Sequence, residues 1–293
     1  MPSRDQIARA AALIRDGGLV AFPTETVYGL GANALDPAAV ARIYEAKGRP
    51  PASPLIVHVS SAGMARSLAA EWPAAAAALA DRYWPGPLTL VVPKLPVIPD
   101  IVTAGLATVG LRMPKHPVAL ALIVAAGVPI AAPSANRFTG LSPTTAAHVR
   151  ASLGDRVEMI LDGGPCEVGI ESTVVAVKDG EVTLLRPGMV DIGVRSAGKV
   201  EEGGAHPSPG MHERHYAPRT PLYQFPLSPT PPGRGIVIRR DDMPHTPAGY
   251  ARELYARLHR LDGEGWDWIA IEAPSEEPKW AAIRDRLRRA THS

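Results

Sequence analysis

Residues 118–136 read Val-Ala-Leu-Ala-Leu-Ile-Val-Ala-Ala-Gly-Val-Pro-Ile-Ala-Ala-Pro-Ser-Ala-Asn, the longest uncharged run in the chain. The run approaches the ~20 residues that a membrane-spanning helix needs, so its reading decides the fold class. Gly127 and Pro129 break it. Glycine is unfavourable inside a helix, and proline lacks the N–H that would continue one. The pattern therefore predicts a helix over 118–126 and a short buried strand over 128–132, followed at once by the polar residues Ser134 and Asn136. A helix returning into an apolar strand is the unit of an α/β sheet, and small polar groups past such a strand lie where open α/β sheets bind ligands.

The same alternation extends in both directions. Ser3-Arg4-Asp5-Gln6 has capping-box spacing, and Ile7, Ala10, Ala11 and Ile14 recur on one helical face until Gly17-Gly18 ends it. Residues 19–22 follow as a strand closed by Pro23, and Asp36-Pro37 opens a second helix that ends near Gly48. Apolar runs predict strands at 55–59, 88–92, 108–113 and 157–161. Segments 172–177 and 181–185 flank Lys178-Asp179-Gly180, where Asp-Gly marks a hairpin. Hairpins mixed with helical crossovers predict an α/β domain with a mixed sheet over residues 1–195. From 196 to 219 glycine and proline leave no apolar period, so 196–220 is a linker, and on composition alone a passive spacer. Beyond it, strands at 235–239 and 268–272 alternate with helices at 247–261 and 279–289, predicting a small α/β, Rossmann-like domain over 221–293. The last helix carries Lys279, Arg284, Arg286, Arg288 and Arg289, which is either a solvated face or an RNA contact.

Composition narrows the classes. Of 293 residues 46% are hydrophobic and 20% charged, with 31 basic against 29 acidic side chains, which excludes a disordered polyelectrolyte. The single cysteine, Cys166, excludes an intramolecular disulfide and a cysteine-rich zinc site. No basic start leads into an apolar secretion-signal stretch, so a soluble, cytoplasmic protein with no membrane contact is expected.

Four polar clusters stand at predicted strand or helix ends. In residues 23–31, Thr24, Glu25 and Thr26 lie beside Gly29 and Gly31, and alone this reads as a strand-to-helix loop with local threonine hydrogen bonds. Lys47 and Arg49 flank Gly48, with Ser53 and His58 further on; arginine grips a phosphate or carboxylate bidentately and lysine acts as a point charge, although Lys47 also suits a helix C-terminus. Arg112 interrupts an otherwise apolar strand, where a buried arginine needs a partner or a ligand. The third cluster, Ala132 to Arg137, precedes Ser142, which on its own reads as a helix N-cap. The fourth is the glycine-rich segment 162–173 containing Ser172, joined later by Arg186. Neither a Walker A sequence nor a dinucleotide-binding Gly-x-Gly-x-x-Gly is present, so a nucleotide site must use another design.

Taken in order, these clusters resemble the YrdC-like threonylcarbamoyladenylate synthase family in its two-domain form. The resemblance runs through residues 23–31, Lys47-Gly48-Arg49-Pro50, Pro54-Leu55-Ile56-Val57-His58, Trp84-Pro85-Gly86-Pro87-Leu88-Thr89, Arg112, Pro133-Ser134-Ala135-Asn136, 162–173 and Leu185-Arg186-Pro187-Gly188. In the linker, Ser208-Pro209-Gly210-Met211 and His215-Tyr216-Ala217-Pro218 are similar to the family's interdomain motif, which implies a segment folded back over the active site and replaces the passive-spacer reading.

The resemblance implies a YrdC-like mixed twisted sheet and a nucleotidyl transfer in which L-threonine, bicarbonate or carbon dioxide, and ATP give L-threonylcarbamoyl-AMP, pyrophosphate and water. The product would pass to the machinery that forms threonylcarbamoyladenosine in tRNA. It assigns threonine recognition to Thr26, His58, Arg112, the Ala132 backbone and Ser172. ATP recognition falls to Arg49, Ser53, Thr108, Ser134, Ser142, Arg186 and Tyr216, with Lys47, Arg49, Arg112 and Asn136 in phosphate contact or catalysis. Magnesium is expected to arrive with ATP, and no protein metal ligand is named. An RNA-binding module without adenylate synthesis is the competing class. A carbamoyl-transferring maturation enzyme would carry cysteine-rich zinc modules, against which the single cysteine argues.

Overall fold

The computed structural model describes residues 1–193 and 215–291; the expected boundary at 195 and the Ser208-Pro209-Gly210-Met211 motif lie outside the described residues. Helix α1 (Arg4–Arg15) starts on the Ser3 capping box, both of whose hydrogen bonds form. Strand β1 (Val20–Phe22) turns back into the antiparallel β2 (Gly29–Asn33). This corrects the strand-to-helix reading of the first cluster, whose polar residues form a loop between two strands. A Cβ on Gly31 would lie 2.7 Å from the Phe22 ring and 2.8 Å from Ile130 Cγ2, so close packing requires glycines that read locally as a loop. Helix α2 (Pro37–Lys47) is capped by Asp36 and ends on Gly48 at φ 63° before β3 (Ile56–His58). Helices α3 (Ala62–Arg66) and α4 (Ala74–Tyr83) precede β4 (Leu88–Pro93), and α5 (Asp100–Thr103) precedes β5 (Thr108–Arg112).

The apolar run folds as expected into α6 (Pro117–Ala126), a turn at Gly127 and β6 (Ile130–Ala131). Helix α7 (Ala146–Leu153) takes its cap from Thr145, so Ser142 is not the N-cap. Strand β7 (Met159–Ile160) follows, then the hairpin of β8 (Thr173–Lys178) and β9 (Glu181–Arg186), whose turn holds Asp179 and Gly180 at φ 51° and 80°. The nine strands make one mixed sheet in the order β7-β1-β2-β6-β3-β5-β4-β8-β9. On one face Leu30, Val40, Ile43, Val57, Leu90 and Leu111 form the main core; on the other, α1 and α6 bury Ile14, Phe22, Leu122 and Ile123.

A second sheet has three parallel strands in the order β10-β12-β11: β10 (Leu222–Phe225), β11 (Gly235–Ile238) and β12 (Trp268–Glu272). It packs with α8 (Pro247–Asp262) and α9 (Ala281–Ala290). The sequence pattern does not predict β10, four residues enclosed by Pro221 and Pro226. Among the described residues no helix is long and apolar enough to cross a membrane.

The two sheets share apolar packing. Val27, Leu141 and Ile170 from the larger unit join Tyr216, Leu254, Leu258 and Ile283 in one cluster. At this boundary Gly169, with φ +82°, lies so close to α8 that a Cβ would fall 2.5 Å from the Ala251 carbonyl oxygen and 2.5 Å from the Arg252 Cα. Both are backbone atoms, and the left-handed conformation penalises any side chain. Gly169→Ala is therefore expected to cost about 1–3 kcal/mol, read as a lowered denaturation midpoint; an unchanged midpoint would show that the units separate without penalty.

His148 on α7 stacks on His259 of α8 across the same boundary, with ring centroids 3.9 Å apart. Burial, reinforced by the neighbouring ring, pushes His148 down to about 4, and burial lowers His259 as well. The unfolded chain thus binds more protons than the folded one between pH ~6.5 and ~4. Stability present above pH 6.5 is lost as the pH falls through that window. His148→Gln should flatten the decline of the thermal midpoint between pH 7 and pH 4.5, and a slope equal to that of the unaltered chain would exclude this ring as a cause.

Candidate active site

The site forms where the loop between β1 and β2 meets the ends of β3, β5 and β6 and the segment before β8. Thr24 accepts the backbone N–H of Thr26 and Val27 and shares a 2.8 Å hydroxyl contact with Thr26, which shapes the loop locally. The glycine-rich segment anchors it, since Val168 and Gly169 donate their N–H groups to the Glu25 and Thr26 carbonyls. Arg112, the last residue of β5, donates to Thr26 Oγ1 at 2.9 Å and pairs with Glu25 Oε1 at 2.8 Å; its side chain and that of Glu25 are 4% and 3% exposed. Glu25 Oε2 also accepts the Lys115 N–H. The partner required of a buried arginine is therefore Glu25, which the sequence reading did not single out. His58 stands opposite Arg112 in the β3–β5 register. Burial and the Arg112 charge push His58 down to about 3, so it is a neutral imidazole at physiological pH.

The second and third clusters hold each other. Lys47 Nζ donates to the Ser134 and Asn136 carbonyls, and Phe138 N–H donates back to the Lys47 carbonyl. Burial, with Arg49 nearby, holds the Lys47 amine well below the usual lysine range. Arg49 donates to Ser53 Oγ and the Pro54 carbonyl, and burial brings it down to about 10. Asn136 Nδ2 donates to the Arg137 and Gly140 carbonyls. On the opposite wall Arg186 donates through Nε to the Ser172 carbonyl at 3.1 Å and through a terminal nitrogen to Ser172 Oγ at 3.1 Å, while Thr89 Oγ1 lies 2.8 Å from that hydroxyl.

These residues enclose a cleft of about 50 Å³. Of the expected site residues, Thr26, Arg49, His58, Arg112, Ala132, Ser134, Ser172, Arg186 and Tyr216 line it, together with His215 and Glu171. Lys47, Ser53, Asn136 and Ser142 stand behind the lining, each bonded to a residue of the wall or its loops. Thr108 does not line the cleft. It begins β5 while Arg112 ends it, roughly 13 Å away at ~3.3 Å per residue. Thr108 lines an adjoining cavity of about 10 Å³ with Pro54, Thr89 and Thr103, and Ile56 borders both spaces.

In the basic last helix Arg286 departs from the solvated-face reading, whereas Lys279 and Arg288 fit it. Arg286 is wholly buried and pairs with Glu171 at 2.7 Å, far from a solvated face. Lys279 pairs with Glu277, Arg284 with Glu276, and Arg288 and Arg289 with Asp285. These five cations face four carboxylates, Asp285 being shared by three arginines, and the side chains of Lys279 and Arg288 remain 60% and 68% exposed. Glu171 also accepts the hydroxyls of Ser142 and Tyr255. Its only sequence signal is an acid set between Ile170 and Ser172 in a run otherwise of glycine, aliphatic and hydroxyl residues.

Three buried arginines converging on a cleft in a mixed α/β sheet, with a neutral histidine and hydroxyls, define an enzyme class that positions anionic reactants and neutralises their charge. The family profile described as telomere recombination, that of Sua5, YciO and YrdC, matches residues 12–188, and the one described as threonylcarbamoyl-AMP synthase, C-terminal domain, matches residues 176–291. The chain belongs to the threonylcarbamoyl-AMP synthase family. The curated threonylcarbamoyl-AMP synthase of Pyrococcus abyssi is 41% identical over 319 residues, which cover 98% of this chain and 94% of the relative. The corresponding protein of Bacillus subtilis is 51% identical over 227 residues, 74% of this chain and 66% of that one. The crystal structure of P. abyssi Sua5 complexed with L-threonine matches with a TM-score of 0.91 at 40% identity, covering 99% of this chain and 95% of that one.

Proposed function

We propose that this chain catalyses the synthesis of L-threonylcarbamoyl-AMP from L-threonine, bicarbonate and ATP, releasing pyrophosphate and water, or from carbon dioxide in place of bicarbonate without release of water. The observation that carries the reading is the convergence of Arg49, Arg112 and Arg186 on one buried cleft. Bicarbonate takes up a proton and gives up water to yield carbon dioxide, the threonine amine captures it as a carbamate with loss of a proton, a carbamate oxygen attacks the α-phosphorus, and pyrophosphate leaves. No enzyme nucleophile is needed. What the chain contributes is placement and positive charge, and desolvated arginines act on phosphate and carboxylate more strongly than exposed ones.

Within this reading Arg112 clamps the threonine carboxylate, with Thr26, His58, the Ala132 backbone and Ser172 around it. Arg49, Ser134, Arg186 and Tyr216 face the nucleotide; Ser53 and Ser142 orient Arg49 and the Glu171 wall, and Lys47 and Asn136 hold the loop under the phosphates. Thr108 lines the adjoining cavity, whose Pro54 and Thr89 touch Arg49 and Ser172 of the cleft, and keeps its assignment to the nucleotide. A space of 50 Å³ is far below the ~300 Å³ at the small end of ligand sites, so the cleft must widen to admit both substrates.

Magnesium belongs to the reading as an ion carried on ATP, neutralising charge on the phosphates and the departing pyrophosphate. The buried Asn136 Oδ1 has no donor among the described residues but stands behind the lining, and the acids Glu25 and Glu171 are engaged by arginines, so the ion is assigned to the ATP phosphates and no protein ligand is named. The use of ATP and a tRNA-directed product fits a cytoplasmic setting, with the tRNA threonylcarbamoyl-transfer machinery downstream.

Pyrophosphate release should require both threonine and bicarbonate. Release that persists when threonine is omitted would overturn the assignment, and salt-sensitive tRNA binding without any release would favour the RNA-binding class instead.

A further inference from the structure

Arg286 makes a crossing that neither the fold nor the chemistry above explains. It belongs to α9 of the smaller unit, yet its guanidinium lies against the cleft of the larger one. Nε donates to Glu171 Oε2 at 2.7 Å, one terminal nitrogen donates to the Pro187 carbonyl at 3.0 Å and to Asp285 Oδ2 at 2.9 Å, and the other lies 3.4 Å from the Glu171 carbonyl. The guanidinium carbon also sits 5.4 Å from the centroid of the Tyr216 ring. Arg286 thus touches two residues that line the cleft without lining it. Next door, the Arg289 carbonyl accepts the His215 N–H, so the end of the same helix fixes the segment that forms this wall.

As a device for stability alone this is a poor choice, because a buried ion pair stabilises no better than well-packed apolar side chains of similar volume. Its electrical effect on the cleft is specific. Glu171 precedes Ser172 and lines the same cleft as Arg49 and Arg186. Burial alone would raise its pKa, but Arg286, Arg186 and the Ser142 hydroxyl outweigh burial and hold it below the usual carboxylate range, so it is ionised at neutral pH. An uncompensated carboxylate there would repel the phosphates that Arg49 and Arg186 attract.

We propose that Arg286 is a positioning residue for nucleotide binding: it cancels the charge of Glu171 and braces Tyr216 from below, so the C-terminal unit sets the electrostatic condition under which the cleft accepts a triphosphate. The proposal rests on the assignment of ATP to this cleft.

The test uses the full chain with ATP titrated by calorimetry and pyrophosphate release measured at varied ATP and varied threonine. Arg286→Met should raise the Kd and KM for ATP at least tenfold while changing the KM for threonine less than threefold. Adding Glu171→Gln to Arg286→Met should recover most of that loss, because the charge left bare is removed as well. Equal loss toward ATP and threonine, or a double variant as impaired as the single one, would reveal a purely structural role and overturn the proposal. Should Arg286→Met fail to fold, Arg286→Lys decides: an ATP Kd within threefold of the unaltered chain supports charge compensation, and a tenfold rise rejects it. An unaltered chain that binds ATP but shows no threonine-dependent release would refute the synthase assignment while leaving the ATP titrations to judge Arg286.

Discussion

Arg112→Ala is expected to lower kcat/KM for threonine-dependent pyrophosphate release by at least a hundredfold. Two losses combine. The variant removes the cation assigned to the threonine carboxylate, and charge-assisted hydrogen bonds of that kind contribute more than neutral ones. It also strands Glu25, whose buried carboxylate pairs with Arg112, and breaking a buried pair from one side typically costs about 3–5 kcal/mol. The second loss threatens folding, so the variant needs a companion. Arg112→Ala with Glu25→Gln should regain thermal stability without regaining activity, because the stranded charge is gone and the clamp is still missing. Activity within threefold of the unaltered chain in either variant would remove Arg112 from the substrate site.

A chain ended at Arg195 should lose pyrophosphate release by more than a hundredfold. Truncation removes the His215 and Tyr216 wall, leaves Glu171 without Arg286 and Tyr255, and uncovers Val27, Leu141 and Ile170. Each effect alone would impair either the cleft or its support. Full activity in the shortened chain would mean that residues 1–195 hold a complete site, contrary to the part given to Tyr216.

Where structure and sequence agree, the determining physics is local. Gly127 and Pro129 break the apolar run of residues 118–136 where the helix and strand meet, and Asp179-Gly180 turns the hairpin because both positions need positive φ. Arg112 was legible as a charge in an apolar strand. Its partner Glu25 was not, because 87 positions separate them and only the sheet brings them together. Strand β2 was hidden by its glycines, which Phe22 and Ile130 require, contacts that no local propensity encodes. Arg286 misled for a related reason. In sequence it is one cation among five, and its burial depends on an acid in the other unit. The cleft's own cations could be read from position, whereas the groups that set their electrostatic balance could not.

The wall of the cleft has a consequence for the order of synthesis. Arg186, the last cleft-lining residue of the larger unit, precedes Arg286 by a hundred residues. At roughly 5–20 residues per second, the ribosome needs about 5–20 s to cover that distance. During that interval the nascent larger unit already carries Arg49, Arg112 and Arg186, but Glu171 lacks its ion-pair partner Arg286, and Tyr216, once made, lacks its brace. On the proposal made for Arg286, a nascent chain that has not reached residue 286 is expected to bind ATP more weakly than one that has.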